Sequence, residues 1–481
     1  MICIVDPYST GASVSLELLA RGFKLLALWT DESGENRSHV PAEAAALIET
    51  GDLYLAEIGQ DGASLDDLAA KISTIAESAG AILTDLVCGG ETGVKVTDQL
   101  SEAMGLRSNG TAGGAMKDRR DKSVQQEAVR ASGLRACREA CSTTWDAKVA
   151  AFCESEPFPI VVKPVESAGS DGVMLCHSVE EAHAHFDLLM SSQRKAGASG
   201  AAVLCQEFLK GKEYVVDHVT RDSIHKTTMV WMYDKRAANG SAFVYYNMVP
   251  VSIDSEVARS LISYTRGVLD AVHILNGATH SEIMMTADGP CLVEVNCRCH
   301  GGNGAWLPLA SRLTGGVTQV SACVDAFVDE AAFARVPDVP PSPFLAGGCN
   351  PMFVSHREGR VLGRPGYTRI RALRSFVSLD EGVAHGQRLE RTVDLFTSSG
   401  QCILVHDDPA VVDEDVATIR AMEADGSMFE LEDMQVDAPL PATKPSATAR
   451  LSHGLSELSE SSMNRTSWRA ERAAAATASA T

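Results

Sequence analysis

The chain has 481 residues, 45% of them hydrophobic and 22% charged, with a formal net charge of −21. That length exceeds one compact core and implies roughly two to four domains. The acidic balance argues against a nucleic-acid partner, which needs a basic face, yet leaves nucleotide binding open, because a phosphate site needs only local cations and backbone N–H groups.

No apolar run approaches the roughly 20 residues of a membrane span. The N-terminus reads directly as a strand, without the charged and apolar regions of a leader. Thirteen scattered cysteines, an odd number, fit reduced thiols in a cytoplasmic compartment. Cys297-Arg-Cys-His300 lacks the second knuckle that structural zinc requires, and Cys137/Cys141 is the only other close pair.

In chain order, residues 1 to 112 alternate strand and helix: strands at 2–5, 24–29 and 81–86, helices at 13–21, 65–79 and 94–104. This alternation implies a parallel sheet covered on both faces. Ser9-Thr-Gly11 reads as a plain turn, with an anion at the helix N-terminus as the alternative. A charged helix follows at 118–132, then strands at 159–163, 172–176 and 203–208, with a helix at 179–194 before the last. From there strands dominate, at 214–220, 227–233, 242–249 and around 282 and 294, punctuated by helices near 255–272 and 315–330. The proline-rich stretch 338–343 reads as a linker to a smaller β-rich unit, 344–436. Residues 437–481 are rich in Ala, Ser, Thr and Pro and cannot bury enough surface to order themselves.

Three segments carry chemistry. The first runs from His280 to Gly302. Its two strands flank an Asp288-Gly289 turn, and Glu294 and Asn296, two apart on a strand, share a face. Hard oxygens converging on one face suit Mg²⁺ on nucleotide phosphates. Strand parity sets a condition. A two-residue Asp288-Gly289 turn sends Glu282 to the wrong face, so its membership requires an odd loop or a bulge. The second segment, Phe158 to Val173, delivers Lys163 on an apolar strand into a Gly/Ser-rich loop. Glycines let backbone N–H groups approach phosphate, and the lysine adds a charge. In the third, Leu204 to Asp217, a strand ends in a stretch able to offer backbone groups to a purine, followed by Glu213 for a ribose hydroxyl. Taken alone, each segment also fits an ordinary surface hairpin or turn.

Together and in this order, the three segments resemble the ATP-grasp superfamily, and within it the carboxylate–amine ligases close to L-amino acid (dipeptide) ligases. The resemblance covers about residues 1–335 and, more loosely, the β-rich unit after them. It implies an ATP-grasp fold of α/β class, with α+β character in the centre. Residues 1–112 would form an N-terminal α/β domain, 113–335 the ATP-grasp domain with a lid at about 140–210, and 344–436 a C-terminal subdomain; 437–481 would be a disordered tail.

The resemblance also implies roles. Lys122 and Lys163 bind ATP phosphates, and Ser167, Gly169, Ser170 and Gly172 belong to the lid. Gln206, Glu207, Phe208, Leu209 and Glu213 seat the adenosine. Glu282, Glu294 and Asn296 bind one or two Mg²⁺ or Mn²⁺ ions. Arg298 steadies the acyl phosphate, and its rigid guanidinium fork suits an oxyanion better than a lysine would. His280 resembles a histidine near substrate and phosphate, with a structural role as the alternative. Where relatives continue with a proline-flanked loop, this chain has Cys299-His-Gly-Gly-Asn-Gly-Ala-Trp306. Trp306 either lines the substrate pocket or packs in the core.

The expected activity is an ATP-dependent ligation of a carboxylate to an amine through an acyl phosphate. Its partners are small-molecule carboxylates and amines, with no nucleic acid and no membrane, and dimers are common in the family. The alternatives are a purine-biosynthesis type carboxylase or ligase, and a non-catalytic nucleotide-binding regulator.

Overall fold

The computed structural model describes residues 1–165, 172–191 and 202–432. Ile2–Val5 (β1) and Leu25–Trp29 (β2) are apolar throughout and fully buried, as strands covered on both faces must be. With Ala56–Gly59 (β3) and Asp85–Cys88 (β4) they form a parallel sheet of order β3-β2-β1-β4. Thr10–Ala20 (α1) and Ala42–Glu49 (α2) pack on one face through Val14, Leu18 and Ala44. Leu65–Ser78 (α3) and Val94–Ala103 (α4) pack on the other through Leu68, Ile72 and Leu100. The chain winds away from β1 on one side and returns for β4 on the other. The loops after β1 and β4 therefore part at a switch point, where open α/β sheets receive ligands.

Two differences from the sequence reading lie here. The strand predicted at 81–86 forms at 85–88, where β1 pairs with it from Ile2 onward; ahead of it the Met1 amino group donates to the Ile82 carbonyl at 2.7 Å and the Met1 carbonyl accepts from the Thr84 amide at 3.0 Å. The short α2 and β3 carry too few periodic residues to have been read.

Lys122–Ala131 (α5) starts later than predicted, because Asp121 caps it by accepting from the Ser123 and Val124 amides. The next strands, Glu139–Ser142 (β5), Ile160–Pro164 (β6), Met174–Cys176 (β7) and Val203–Glu207 (β8), make an antiparallel sheet of order β5-β8-β6-β7. Ala147–Ser155 (α6) and Val179–Ser191 (α7) cover it through Cys153, Phe186 and Leu189. Of the lid positions, Gly172 is described, at φ 72°; Ser167, Gly169 and Ser170 lie outside the described residues, as does the segment 437–481.

Gly211–Arg221 (β9), Ile224–Ala238 (β10), Ser241–Pro250 (β11), Gly277–Thr286 (β12) and Gly289–Asn296 (β13) form the central antiparallel sheet. Glu256–Ala271 (α8) and α5 cover its back through Leu261, Val268 and Val129. Residues after the linker do not stand apart. Gly347–Pro351 (β14) joins this sheet, and Gly359–Gly363 (β15) pairs outside it. Phe376–Glu381 (β16), Arg388–Leu389 (β17) and Gly400–His406 (β18) follow, giving eight strands in the order β13-β12-β9-β10-β11-β14-β18-β16. Leu307–Thr314 (α9) forms where no helix is predicted, and the helix predicted at 315–330 is the shorter Gln319–Val328 (α10). Gly315 and Gly316, at φ 74° and 109°, break the path between them.

Candidate active site

The site is built on one face of the central sheet. In the β12/β13 hairpin Thr286 pairs with Gly289 around a two-residue Ala287-Asp288 turn, and Ile283 pairs with Leu292. One step further on, Glu282 faces Glu294 and His280 faces Asn296. The extra residue is Val293, a β-bulge, so the parity condition is met by a bulge and not by an odd loop. Ile283, Leu292 and Val295 turn to the core, while Glu282, Glu294 and Asn296 turn to the opposite face.

Edge strand β13 is held by α5. The Gln125 side chain donates to the Val295 carbonyl and accepts from its amide, both at 2.8 Å, and Gln126 donates to the Leu292 carbonyl. This anchoring carries Lys122 over the face, where its Nζ stands 2.6 Å from Glu294 Oε2. Lys163, at the end of β6, arrives from the other side. Its burial, and then the charge of Lys122, hold its pKa below the ordinary lysine value, against the pull of Glu294. Asn296 Oδ1 accepts from Arg298 at 3.2 Å, and Arg298 Nε lies 3.0 Å from Glu91 Oε2 in the loop after β4. The first domain thus reaches the site through Glu91.

At the other end, Glu213 neighbours Met284 across β9/β12, and both its oxygens bind Lys235 Nζ, at 2.6 and 2.7 Å. Gly211 lets these strands close, since a Cβ there would collide with the Met285 carbonyl oxygen. Two predicted adenosine contacts are otherwise engaged. The Glu207 carboxylate accepts from the Arg138 amide at 2.8 Å and pairs with its guanidinium at 2.6 Å, and Gln206 donates to Glu139 at 2.6 Å. Phe208 is half-buried, with its ring centroid 6.2 Å from that of Phe243, and Leu209 is buried beside Cys137 and Cys291.

A hydrogen-bonded chain lies below the acids. His280 Nε2 faces Glu282 Oε1 at 3.3 Å, and its Nδ1 faces Asp217 Oδ1 at 3.1 Å. Asp217 Oδ2 meets His300 Nδ1 at 3.0 Å and Trp231 Nε1 at 2.8 Å, and His300 Nε2 meets the Tyr233 hydroxyl at 3.2 Å. Burial opposes charge on His280, but Asp217 and Glu282 outweigh it and push the ring up to about 9. Burial likewise works against Asp217, yet the two histidines hold it well below the usual carboxylate range. Among the described residues Asp217, His280 and His300 are the one group of three placed closely enough to share a metal. Their mutual distances are those of hydrogen bonds, and both outer ring nitrogens already have protein partners.

Lys122, Lys163, Glu213, Glu282, Glu294, Asn296, Arg298 and His280 therefore gather on one face. Trp306 is core: it is 2% exposed, donates to the His300 and Gly301 carbonyls, and packs with Trp231 and Leu309. Cys297 and Cys299 enter different cores, and all thirteen cysteines are free thiols. Sequence reasoning missed Asp217, Tyr233, His300, Lys235 and Glu91. An acid inside the apolar run Tyr214–Val219 was the available signal for Asp217.

Residues 156–305 match the ATP-grasp domain family. The chain is 30% identical over 354 residues to dapdiamide A synthase of Enterobacter agglomerans, spanning 71% of this chain and 79% of that protein. It is 29% identical over 217 residues to a phosphoribosylamine–glycine ligase of Halalkalibacterium halodurans, covering 42% of this chain and 49% of that one. The fold is similar to an L-amino acid ligase from Bacillus licheniformis, with a TM-score of 0.65, 14% identity, and 90% and 98% of the two chains covered. The chain belongs to the ATP-grasp family. Within that family it is an ATP-dependent ligase that joins a carboxylate to an amine.

Proposed function

We propose that this enzyme activates an amino acid or other small carboxylic acid as an acyl phosphate and passes the acyl group to an amine. The observation that carries this reading is the single face on which Glu282, Glu294 and Asn296 meet Lys122, Lys163 and Arg298. Three hard oxygen donors beside two lysines suit Mg²⁺ or Mn²⁺ and the phosphates it accompanies. When bound there, one or two such ions supply charge neutralisation to the transferring phosphoryl group.

The chain's own residues divide the remaining work. Lys122 and Lys163 hold the phosphates, and their charges offset what develops on the transferring group. Arg298, held by Glu91, presents its fork to the acyl oxygens and the departing phosphate. The imidazolium of His280 keeps Glu282 ionised and aimed at the face. Burial pushes Glu282 up, but the hydrogen bond and charge of His280 bring it well below the usual range. The 207–209 backbone faces the purine and Glu213 the ribose.

The purine-biosynthesis reading needs a phosphate cradle at the switch point of the first domain. Residues there are already engaged: Thr10 Oγ1 donates to the Gly301 carbonyl at 3.1 Å, and Ser9 Oγ accepts from the Asn303 amide at 3.0 Å. The test is phosphate release from ATP across a matrix of amino acids and amines, with mass spectrometry of products. A carboxylate/amine pair that raises release and yields its amide supports the proposal; release that follows only bicarbonate or a ribonucleotide overturns it.

A further inference from the structure

An amino acid near neutral pH presents an ammonium group, which cannot attack a carbonyl until it loses a proton. None of the cations and metal ligands above can accept it. We propose that Tyr233, His300 and Asp217 form a proton relay that deprotonates the attacking amine; the inference rests on the acyl-phosphate reading above.

The geometry resembles a catalytic triad with a phenol in the leading place. Tyr233 lies on β10, on the same face as Trp231, whose neighbour Val215 in turn faces Glu282 across β9/β12. Tyr233 is half-buried, whereas His300 and Asp217 are buried behind it. Tyr233 is thus the least buried of the three and the one that sits beside the reaction face. Asp217, an ionised carboxylate, can only accept, so both histidines turn an Nδ1–H toward it. That leaves the lone pair of a neutral His300 on Nε2, 3.2 Å from the Tyr233 hydroxyl, which donates to it.

The charged and titratable groups around Tyr233 suit this role. Its ring packs 5.2 Å from Tyr245, with Lys235 Nζ 5.5 Å from its centroid, and Glu282 and Glu213 lie within electrostatic range. Burial, and then Glu282, hold the phenol well above its ordinary value, so Tyr233 passes a proton on only as it receives one. Burial, and not Asp217, dominates at His300 and keeps the ring below its ordinary value, ready to accept.

The protons balance as follows. The ammonium gives one proton to Tyr233 Oη as Tyr233 gives its own to His300 Nε2, and the imidazolium rests against Asp217. The amine nitrogen bonds to the acyl carbon and the C–O bond to phosphate breaks. The second nitrogen proton goes to the departing phosphate, which leaves as hydrogen phosphate. His300 returns its proton to solvent through Tyr233 when the product departs.

The test compares two acceptors on one carboxylate substrate: an α-amino acid, protonated at neutral pH, and hydroxylamine, which is not. In Tyr233→Phe and His300→Gln the ratio of amide to hydroxamate formation should fall about 100-fold, the scale of general base catalysis. A series of amines of decreasing basicity should close that gap. Equal losses with both acceptors, or no change in the ratio, overturn the relay. Should His300→Gln fail to fold, Tyr233→Phe removes only one oxygen and carries the comparison. If the parent enzyme makes no hydroxamate with any carboxylate, the acyl-phosphate reading fails, and the relay with it.

Discussion

Lys122 Nζ lies 2.6 Å from Glu294 Oε2, joining α5 to the edge strand β13 across the mouth of the site. With Lys163 alongside, the acid is the counter-charge for two mostly buried lysines. Glu294→Ala should therefore do two things. Loss of one partner from a buried ion pair costs about 3 kcal/mol of stability, readable as a lower urea midpoint. Phosphate release should fall by about 100-fold or more, the scale of lost electrostatic stabilisation of a transition state.

Nucleotide and metal should stabilise the fold together. ADP with Mg²⁺ at about 100 times its dissociation constant should add about 2.7 kcal/mol, seen as a rise in melting temperature. A chelator should remove most of that rise. Glu282→Gln should shrink it at the same concentrations, because a neutral amide replaces a carboxylate donor on the same face.

Glu139 gives a pH signature separable from catalysis. Its carboxyl accepts from Gln206, and burial raises it from the ordinary 4.5 to about 7. As pH rises the unfolded chain ionises first, so the stability tied to Glu139 is complete below 4.5 and is lost as pH climbs through about 7. Glu139→Gln should flatten stability against pH across that window, measured by denaturant unfolding at several pH values. An unchanged slope would refute the assignment.

Arg298 depends on the first domain for its aim, through Glu91 at 3.0 Å. Glu91→Gln weakens that hold while leaving the guanidinium in place, and should lower kcat by about tenfold. Arg298→Lys keeps the charge but loses the planar fork, and should lower kcat by about 100-fold. Steady-state kinetics on one carboxylate should show both effects mainly in kcat.

Gly211 tests the backbone. A Cβ there meets the Met285 carbonyl oxygen across a fully paired ladder. Gly211→Ala should cost about 3 kcal/mol through forced separation of β9 and β12. It should weaken nucleotide binding too, since Glu213 is two residues away.

Local pattern made much of the site legible. Glu294 and Asn296 share a face because strand side chains alternate, and Lys163 sits near the end of an apolar strand, ahead of a glycine-rich stretch of sequence. Elements with strong periodicity, such as α3 and α8, fell where predicted. Weak ones do not: α2 and β3 have too few periodic residues to show in the pattern, and the helix predicted from 315 begins only after the Gly315–Gly316 break.

By itself, then, the sequence determined the family, the order of its three candidate segments, and the alternation that aims most of their side chains. Those are properties of neighbours along the chain. Only the tertiary structure decided which face Glu282 takes, because one bulged residue, Val293, reverses the face of everything beyond it. It alone brought together Asp217, Tyr233 and His300, of which Asp217 and His300 are 83 residues apart. Their meeting comes from sheet register and the return of the loop after β13, and no local spacing encodes either.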